Sequence, residues 1–437
     1  MRMMIPAITS AYWWITLENV SVTMIPKGGG PYIIVELESA LTGAKSAKRR
    51  TPKSPRAPEC KKEIGRFFHQ SICSYKNIRY KWLMAGSFQK RIKTRALAAG
   101  FCVMRDLGKT PAPKTVIWEC TRTCDMACIH CGSGDQSPAR DELSTEEIVR
   151  TVHELGGMGV RRFLATGGEP LLRPDLLDVM EQAKACGMET GFSTNGAGVS
   201  EDNISRIVRA ADSIQVSVDG TQTTHDTLRK CPGAFTGALR ALDLLRENHC
   251  RQVCMTSIIS PFNIHQLDEL YILATAHADI WRIGTVMPIG RAENNSALFL
   301  SGRELRSLLD FTGAKMKGRF PVILGENLGY LGDLYDTSIH RHDFFFCGIG
   351  ILSCCIGADG VVRGCPELPP EAKYSAGDVT KDSFSHIWET GFSRFRERIP
   401  KDLPAGCSDC RDLDLCRGGC AVMGRAGMQC TRDRING

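Results

Sequence analysis

From Lys114 onward, apolar and polar positions repeat in one order: a short apolar run, a turn, then a longer stretch with helical spacing. The apolar runs fall at 114–119, 161–165, 188–193, 213–218, 251–258 and 280–286, and each predicts a strand. Helices are predicted between them. Ser144-Thr145-Glu146-Glu147 is a capping box, with Leu143 and Ile148 spaced as a hydrophobic staple. Pro174 to Cys186 reads as a helix stopped by Gly187. Ser200 is placed to cap a helix over 201–211, and an amphipathic stretch covers 235–249. Such alternation builds an α/β fold, a parallel sheet with helices outside. Six strand–helix units fall short of the eight that close a barrel.

The candidate chemistry falls at one end of that sheet. Cys124, Cys128 and Cys131, spaced C-x3-C-x2-C, follow the first strand. Gly167-Gly168-Glu169-Pro170 follows the second, and Ser193-Thr194-Asn195-Gly196 ends the third. Ser217-Val218-Asp219-Gly220 ends the fourth, and Met287-Pro288-Ile289-Gly290-Arg291-Ala292 follows the sixth. In barrels of parallel strands the site is built at the C-terminal strand ends. Three close thiolates can hold three corners of a four-iron cluster. The fourth iron then stays open, as the substrate position of a catalytic metal site does. The competing reading of the three cysteines is a zinc knot or buried thiols. Asp219-Gly220 has a competing reading as a plain turn.

Composition bounds the rest. The chain has 437 residues, enough for two or three domains, and 20 cysteines. C-x2-C runs in a chain this long read as metal or cluster binding in a reducing compartment, so a cytoplasmic location is expected. No apolar run approaches the ~18 residues of a membrane span, and the start lacks a signal-peptide layout. Net charge is +7. Residues 1–110 hold 20 Lys/Arg and 6 Asp/Glu (+14), and the remainder 35 and 42 (−7). The body is therefore mildly acidic and does not call for nucleic acid. Residues 1–84 differ from the rest. Gly28-Gly29-Gly30-Pro31 and Lys48 to Pro58 are linker-like, so this arm is expected to be poorly ordered, with translation starting near Met84 as one form of that reading. Residues 85–111 read as a lead-in segment with a basic helix over Phe88 to Leu97. Cys60, Cys73, Cys102, Cys186, Cys231, Cys250 and Cys254 read as ordinary thiols.

The three-cysteine loop and the Gly-Gly-Glu-Pro turn together resemble the radical S-adenosylmethionine (radical SAM) enzymes. The resemblance implies a partial (β/α)6 TIM-type barrel over 112–310. It also implies a four-iron cluster on Cys124, Cys128 and Cys131 that chelates S-adenosylmethionine and cleaves it to a 5'-deoxyadenosyl radical. His130 stands where the family usually has an aromatic residue near the adenine. Gly167, Gly168, Glu169 and Pro170 would meet the cosubstrate's ammonium, and Ser193 and Asn195 its ribose or carboxylate. Ser217 and Arg229 are candidates for its carboxylate, and Asp219 for ribose or substrate. His225-Asp226 and Arg229 resemble the family's His-Asp-x-x-Arg run. Cys120 lies outside the pattern.

Cysteines return over 311–437. Cys347-x12-Gly360-x4-Cys365 and Cys407-x2-Cys410-x5-Cys416-x3-Cys420, then Cys430, resemble the SPASM extension, which binds two auxiliary four-iron clusters. That resemblance places Cys347, Cys365 and Cys420 on the first, with Cys354 or Cys355 as a further ligand. Cys407, Cys410, Cys416 and Cys430 would hold the second. A four-cysteine zinc site is the competing reading of 407–420. The implied activity is modification of a ribosomally made peptide or protein by crosslinking or oxidation, with a flavodoxin- or ferredoxin-like electron donor. The arm would then have a second reading as a leader-peptide module. Sulfatase-maturing members carry Asp after the cysteine matched by Cys365; Pro366 stands there instead, with Glu367 nearby as a candidate proton acceptor. The alternatives are a radical SAM enzyme acting on a haem or quinone precursor, and a non-enzymatic iron–sulfur carrier or zinc scaffold.

Overall fold

The computed structural model describes residues 111–133, 142–332, 335–336, 347–368, 371–396, 403, 406–425 and 430–436, with the backbone of four strands before residue 38. The chain divides into two units, Met1–Tyr75 and Lys76–Gly437. In the first, β1 (Met3–Pro6), β2 (Ile15–Leu17), β3 (Val20–Lys27) and β4 (Gly30–Leu37) form an antiparallel sheet in the order β1-β4-β3-β2. The sequence reading assigned no element here. Its linker reading fails at Gly30-Pro31, which open β4 and pair with Lys27 and Pro26. The basic run Lys48 to Pro58 and the expected helix over Phe88 to Leu97 lie outside the described residues.

In the second unit the six expected strands form in order: β5 (Thr115–Thr121), β6 (Arg162–Gly167), β7 (Glu189–Thr194), β8 (Ser213–Ser217), β9 (Gln252–Ile259) and β10 (Ile280–Thr285). Each pairs in parallel with its neighbour. The sheet runs further than six strands. β11 (Val322–Leu324) adds in parallel beyond β10. At the other edge β12 (Ser353–Ile356) pairs in parallel with β5, followed by antiparallel β13 (Val361–Arg363) and β14 (Ser375–Asp378). The cysteine-rich segment therefore continues the barrel sheet. Ten strands lie in one open order from β11 to β14.

Helix starts follow local side-chain chemistry. α1 (Thr145–Gly157) carries the expected capping box: Glu147 N–H donates to Ser144 Oγ at 3.2 Å, and Ser144 N–H to Glu147 Oε2 at 2.8 Å. α2 (Leu176–Ala185) ends ahead of Gly187, whose φ is +85°. α3 (Ile204–Ala210) begins later than its sequence suggests. Asn203 takes the cap, because its Oδ1 accepts from Ser200 N–H at 2.9 Å and closes a turn over 200–203. α4 (Gln222–Arg229), α5 (Ala234–Glu247), α6 (Leu267–His277) and α7 (Gly302–Lys315) complete the layer. The boundary expected at 310/311 falls inside α7.

Strand periodicity sorts the two faces. Val116, Trp118 and Cys120 of β5, Phe192 of β7 and Ile214 and Val216 of β8 are buried in the core with helix residues such as Ile148, Val179 and Leu242. Ile117, Glu119, Thr166, Ser193, Gln215, Ser217 and Thr256 alternate with them and are half-buried. The face opposite the helices is thus a partly polar, accessible surface. Among the described residues no helix is long and apolar enough to cross a membrane.

Candidate active site

The three-cysteine loop leaves β5 at Thr121 and is tied on several sides. Glu142 accepts from Thr121 Oγ1–H and from Arg122 N–H, both at 2.9 Å. Ile129 N–H donates to the Leu228 carbonyl at the end of α4 at 2.9 Å. Arg291, from the turn after β10, donates its N–H to the Cys131 carbonyl at 3.0 Å and its Nε–H to the Cys128 carbonyl at 2.8 Å. Gly290 has φ +55°, and a Cβ there would stand 2.7 Å from the Cys131 carbonyl oxygen. Cys124, Cys131 and Cys231 pack against a small buried cluster of Met126, Cys128 and Ala234. Burial pushes the Cys124 thiol up to about 11 and raises Cys128, which the Arg229 guanidinium opposes.

The Gly-Gly-Glu-Pro turn is stitched to that loop. Gly168 N–H donates to the Thr121 carbonyl at 2.7 Å, and Glu169 N–H to the Thr123 carbonyl at 2.8 Å. The close backbone approach that glycine permits is made to the cysteine loop itself. Glu169 is buried, and its carboxylate accepts from Thr194 Oγ1–H and Asn195 N–H, both at 2.7 Å, and from Leu171 N–H at 3.2 Å. Burial raises its pKa. Pro170 opens a short 3-10 turn over Pro170–Leu172. Asn195 donates Nδ2–H to Asp125 Oδ1 at 2.6 Å and accepts Ala197 N–H on Oδ1 at 2.8 Å. Ser193 and Ser217 remain half-buried on the open face.

Asp219 has no exposed surface. Its Oδ2 accepts from Arg229 Nε–H at 2.9 Å and Nη2–H at 2.6 Å, and His130 Nε2 stands 3.4 Å away. The plain-turn reading of Asp219 therefore misses an internal ion pair. Sequence reasoning also missed Asp125 as the partner of Asn195. Its place inside the three-cysteine motif was the available signal.

The C-terminal cysteines separate into two groups. Cys365 lies near Cys347 and Cys420, and burial pushes all three thiols up, Cys347 to about 11. Cys407, Cys410, Cys416 and Cys430 are mutual neighbours, and burial pushes Cys416 up to about 12. The adjacent Cys354 and Cys355 part company because strand side chains alternate. Cys354 is paired in register with Val116 and joins the core. Cys355 is paired with Ile117, has Glu119 Oε2 3.9 Å from its sulfur, and lies near Cys365.

A second polar cluster lies between these cysteines and the loop. Arg363 is ion-paired with Glu119 and donates Nη1–H to the Leu368 carbonyl at 2.8 Å, while its Nε–H has no partner among the described residues. Glu367 reaches the cysteine loop: a Cβ on Gly132 would stand 2.6 Å from its Oε2. Burial pushes its carboxyl up to about 7.

Known proteins match this arrangement on both parts. Residues 118–274 match the Radical SAM superfamily, and residues 347–411 match SPASM, an iron–sulfur cluster-binding domain. Mycofactocin maturase MftC of Mycobacterium tuberculosis (strain CDC 1551 / Oshkosh) is 32% identical over 316 residues, covering 71% of this chain and 78% of that protein. The chain belongs to the radical SAM superfamily. It is an enzyme of the radical SAM/SPASM type, with a four-iron radical SAM site and an iron–sulfur-binding SPASM domain. An AdoMet-dependent heme synthase of Methanosarcina barkeri is 25% identical over 328 residues, 71% of this chain and 92% of that one. Streptococcus suis SuiB bound to S-adenosylmethionine has the same fold, with a TM-score of 0.61, 13% identity and 83% of each chain covered. The radical SAM donor set fits its cluster: three cysteines on one loop, all in one small cluster with Met126 and Ala234, leave one iron without a protein thiolate.

Proposed function

We propose that this radical SAM/SPASM enzyme modifies a ribosomally synthesised peptide or protein, leaving a crosslinked or oxidised residue. The observation that carries the reading is the open sheet. Its accessible face runs from the edge strand carrying Cys355 across Glu119, Ser193 and Ser217 without closing, which leaves room for an extended chain. The similarity to a maturase over 71% of this chain supports it, as does the shared fold with SuiB, solved with its precursor peptide SuiA.

Cys124, Cys128 and Cys131 would hold the radical SAM cluster. When bound, cluster and S-adenosylmethionine together supply the radical that takes a substrate hydrogen. The half-buried Ser193 and Ser217 are the side chains we assign to the cosubstrate's polar groups. Gly167 and Gly168 present backbone to its ammonium, while Glu169, Pro170 and Asn195 set the shape of that wall. Two auxiliary four-iron clusters are proposed, the first on Cys347, Cys365 and Cys420, the second on Cys407, Cys410, Cys416 and Cys430. A flavodoxin- or ferredoxin-like protein would supply electrons in the cytoplasm.

We further assign Cys355, and not Cys354, to the first auxiliary cluster, since Cys355 lies on the Cys365 side of the sheet and Cys354 in the core. The expected outcome is that Cys355→Ala alters the auxiliary signal in Mössbauer spectra of the reconstituted enzyme. Cys354→Ala leaves the spectrum unchanged and costs about 1 kcal/mol or more of stability as a core cavity. An unchanged spectrum in Cys355→Ala would leave that cluster with an open iron.

The function is tested by mass spectrometry of a short peptide encoded beside the gene, produced anaerobically with and without the enzyme. A loss of two hydrogens or another discrete shift on one residue pair is expected. An unchanged peptide, with 5'-deoxyadenosine still released, would favour the second reading, a haem-type small molecule, which the heme synthase similarity supports.

A further inference from the structure

The strand-end motif Met287-Pro288-Ile289-Gly290-Arg291-Ala292 still has no task in the reaction. It leaves β10 and meets the cysteine loop in three ways. Arg291 donates N–H to the Cys131 carbonyl at 3.0 Å and Nε–H to the Cys128 carbonyl at 2.8 Å. Ala292 is fully buried with Val286 and Leu298, and Ile129, next to Cys128, packs against that group. Gly290 has a positive φ and lies so close to the Cys131 and Gly132 carbonyls that a Cβ would collide with them. The loop's own closing bond, from Cys131 N–H to the Cys128 carbonyl, is long at 3.3 Å. The placing of these two cysteines therefore leans on Arg291, 163 residues along the chain from Cys128.

The same turn also reaches the SPASM cysteines. Met287 and Ile289 pack against a buried cluster of Leu368, Tyr374 and Val422, and Cys365 and Cys420 pack against that cluster too. At Gly132 the two parts nearly touch. A Cβ there would stand 2.8 Å from Ile289 Cδ1 and 2.6 Å from Oε2 of Glu367, which follows Cys365 by two residues. Interiors packed this closely pass strain on, because no void absorbs it. Groups bonded behind a metal's ligands keep those ligands in geometry. Here one short turn stands behind ligands of two different sites.

We propose that the 287–292 turn is a bridge coupling the radical SAM site to the first auxiliary site. Arg291 is its positioning residue and holds the Cys128 and Cys131 backbone for the radical SAM cluster. Met287 and Ile289 tie that hold to the packing around Cys365 and Cys420. Emptying the auxiliary site then loosens the radical SAM loop, although no ligand of the radical SAM cluster has changed. The proposal rests on the cluster assignments and is independent of which substrate is modified.

The test follows the reduced-cluster EPR signal that shifts when S-adenosylmethionine is added, in the reconstituted full chain challenged with EDTA. Iron leaves a cluster when its loop opens, so the decay rate of that signal reads the opening. In Arg291→Gln the decay should be about tenfold faster, the scale of one hydrogen bond to a charged group. Arg291→Lys, which keeps a cationic donor, should lie nearer the parent. The paired variant Cys365→Ala/Cys420→Ala should speed the decay about threefold, within the usual range of coupling between sites. The paired variant Cys407→Ala/Cys410→Ala, in the other cysteine group, should decay as the parent does. A parental rate in Arg291→Gln would overturn the positioning role, and equal rates in the two paired variants would overturn the bridge. If Arg291→Gln takes up no radical SAM cluster, its auxiliary iron decides: retained iron places the defect in the loop, and loss of all iron overturns the proposal. A parent chain with no responsive signal would remove the cluster assignment, and the proposal with it.

Discussion

The variant carrying Cys124→Ala, Cys128→Ala and Cys131→Ala together releases no 5'-deoxyadenosine from S-adenosylmethionine under reducing, anaerobic conditions. The effect is expected to be complete rather than graded. These thiolates are the cluster's only proposed protein ligands, and the cluster supplies the electron for cleavage. The loop keeps many of its backbone ties without them, including Arg291 to the Cys128 and Cys131 carbonyls and Ile129 to Leu228. The variant should therefore fold and lose about four irons per chain, one cluster's worth. The C-terminal cysteine groups are untouched and keep theirs. Product assay and iron analysis on one sample check both halves. Retained cleavage in the triple variant would remove the site assignment altogether.

Gly168→Ala is the second large expected effect, and it acts through the backbone. A Cβ at Gly168 would run into the Thr123 carbonyl and stand 2.8 Å from the Arg122 carbonyl oxygen. Both belong to the strand end from which the cysteine loop departs. Neither carbonyl is the free end of a flexible side chain, so the loop itself must move. Overpacking of this kind costs about 1–3 kcal/mol, occasionally more. Here it also breaks the register made by Gly168 N–H on the Thr121 carbonyl and Glu169 N–H on the Thr123 carbonyl. A fall in melting temperature with incomplete cluster loading is expected, read by calorimetry and by iron content. As a control, Gly237→Ala, on α5 where a Cβ meets nothing within 4 Å, should be neutral or stabilising. A fully loaded Gly168→Ala of parental stability would show that the turn and the loop are not coupled.

The extent of the sheet was only partly legible. The six strands were readable because each apolar run is bounded by turn residues and followed by helical spacing. β11 and β12 to β14 were not, because a three- or four-residue strand carries almost no periodicity of its own. They pair only because a sheet edge is already there. The late start of α3 shows the same limit, since Ser200 and Asn203 are both good capping residues and a side-chain bond between them decides.

At the site, residue types and spacing by themselves determined the chemistry: three thiols on one loop, a glycine turn beside them and a second cysteine-rich region. Spacing along a chain is enough for that, because ligands within one loop are held near each other by the covalent backbone. Partners distant in sequence were decided only by tertiary structure. Arg229 faces Asp219, Asn195 faces Asp125, and Cys355 turns toward Cys365 while Cys354 turns into the core. Each of these depends on strand register and on which polar group finds a partner on burial, and both follow from packing against residues far along the chain.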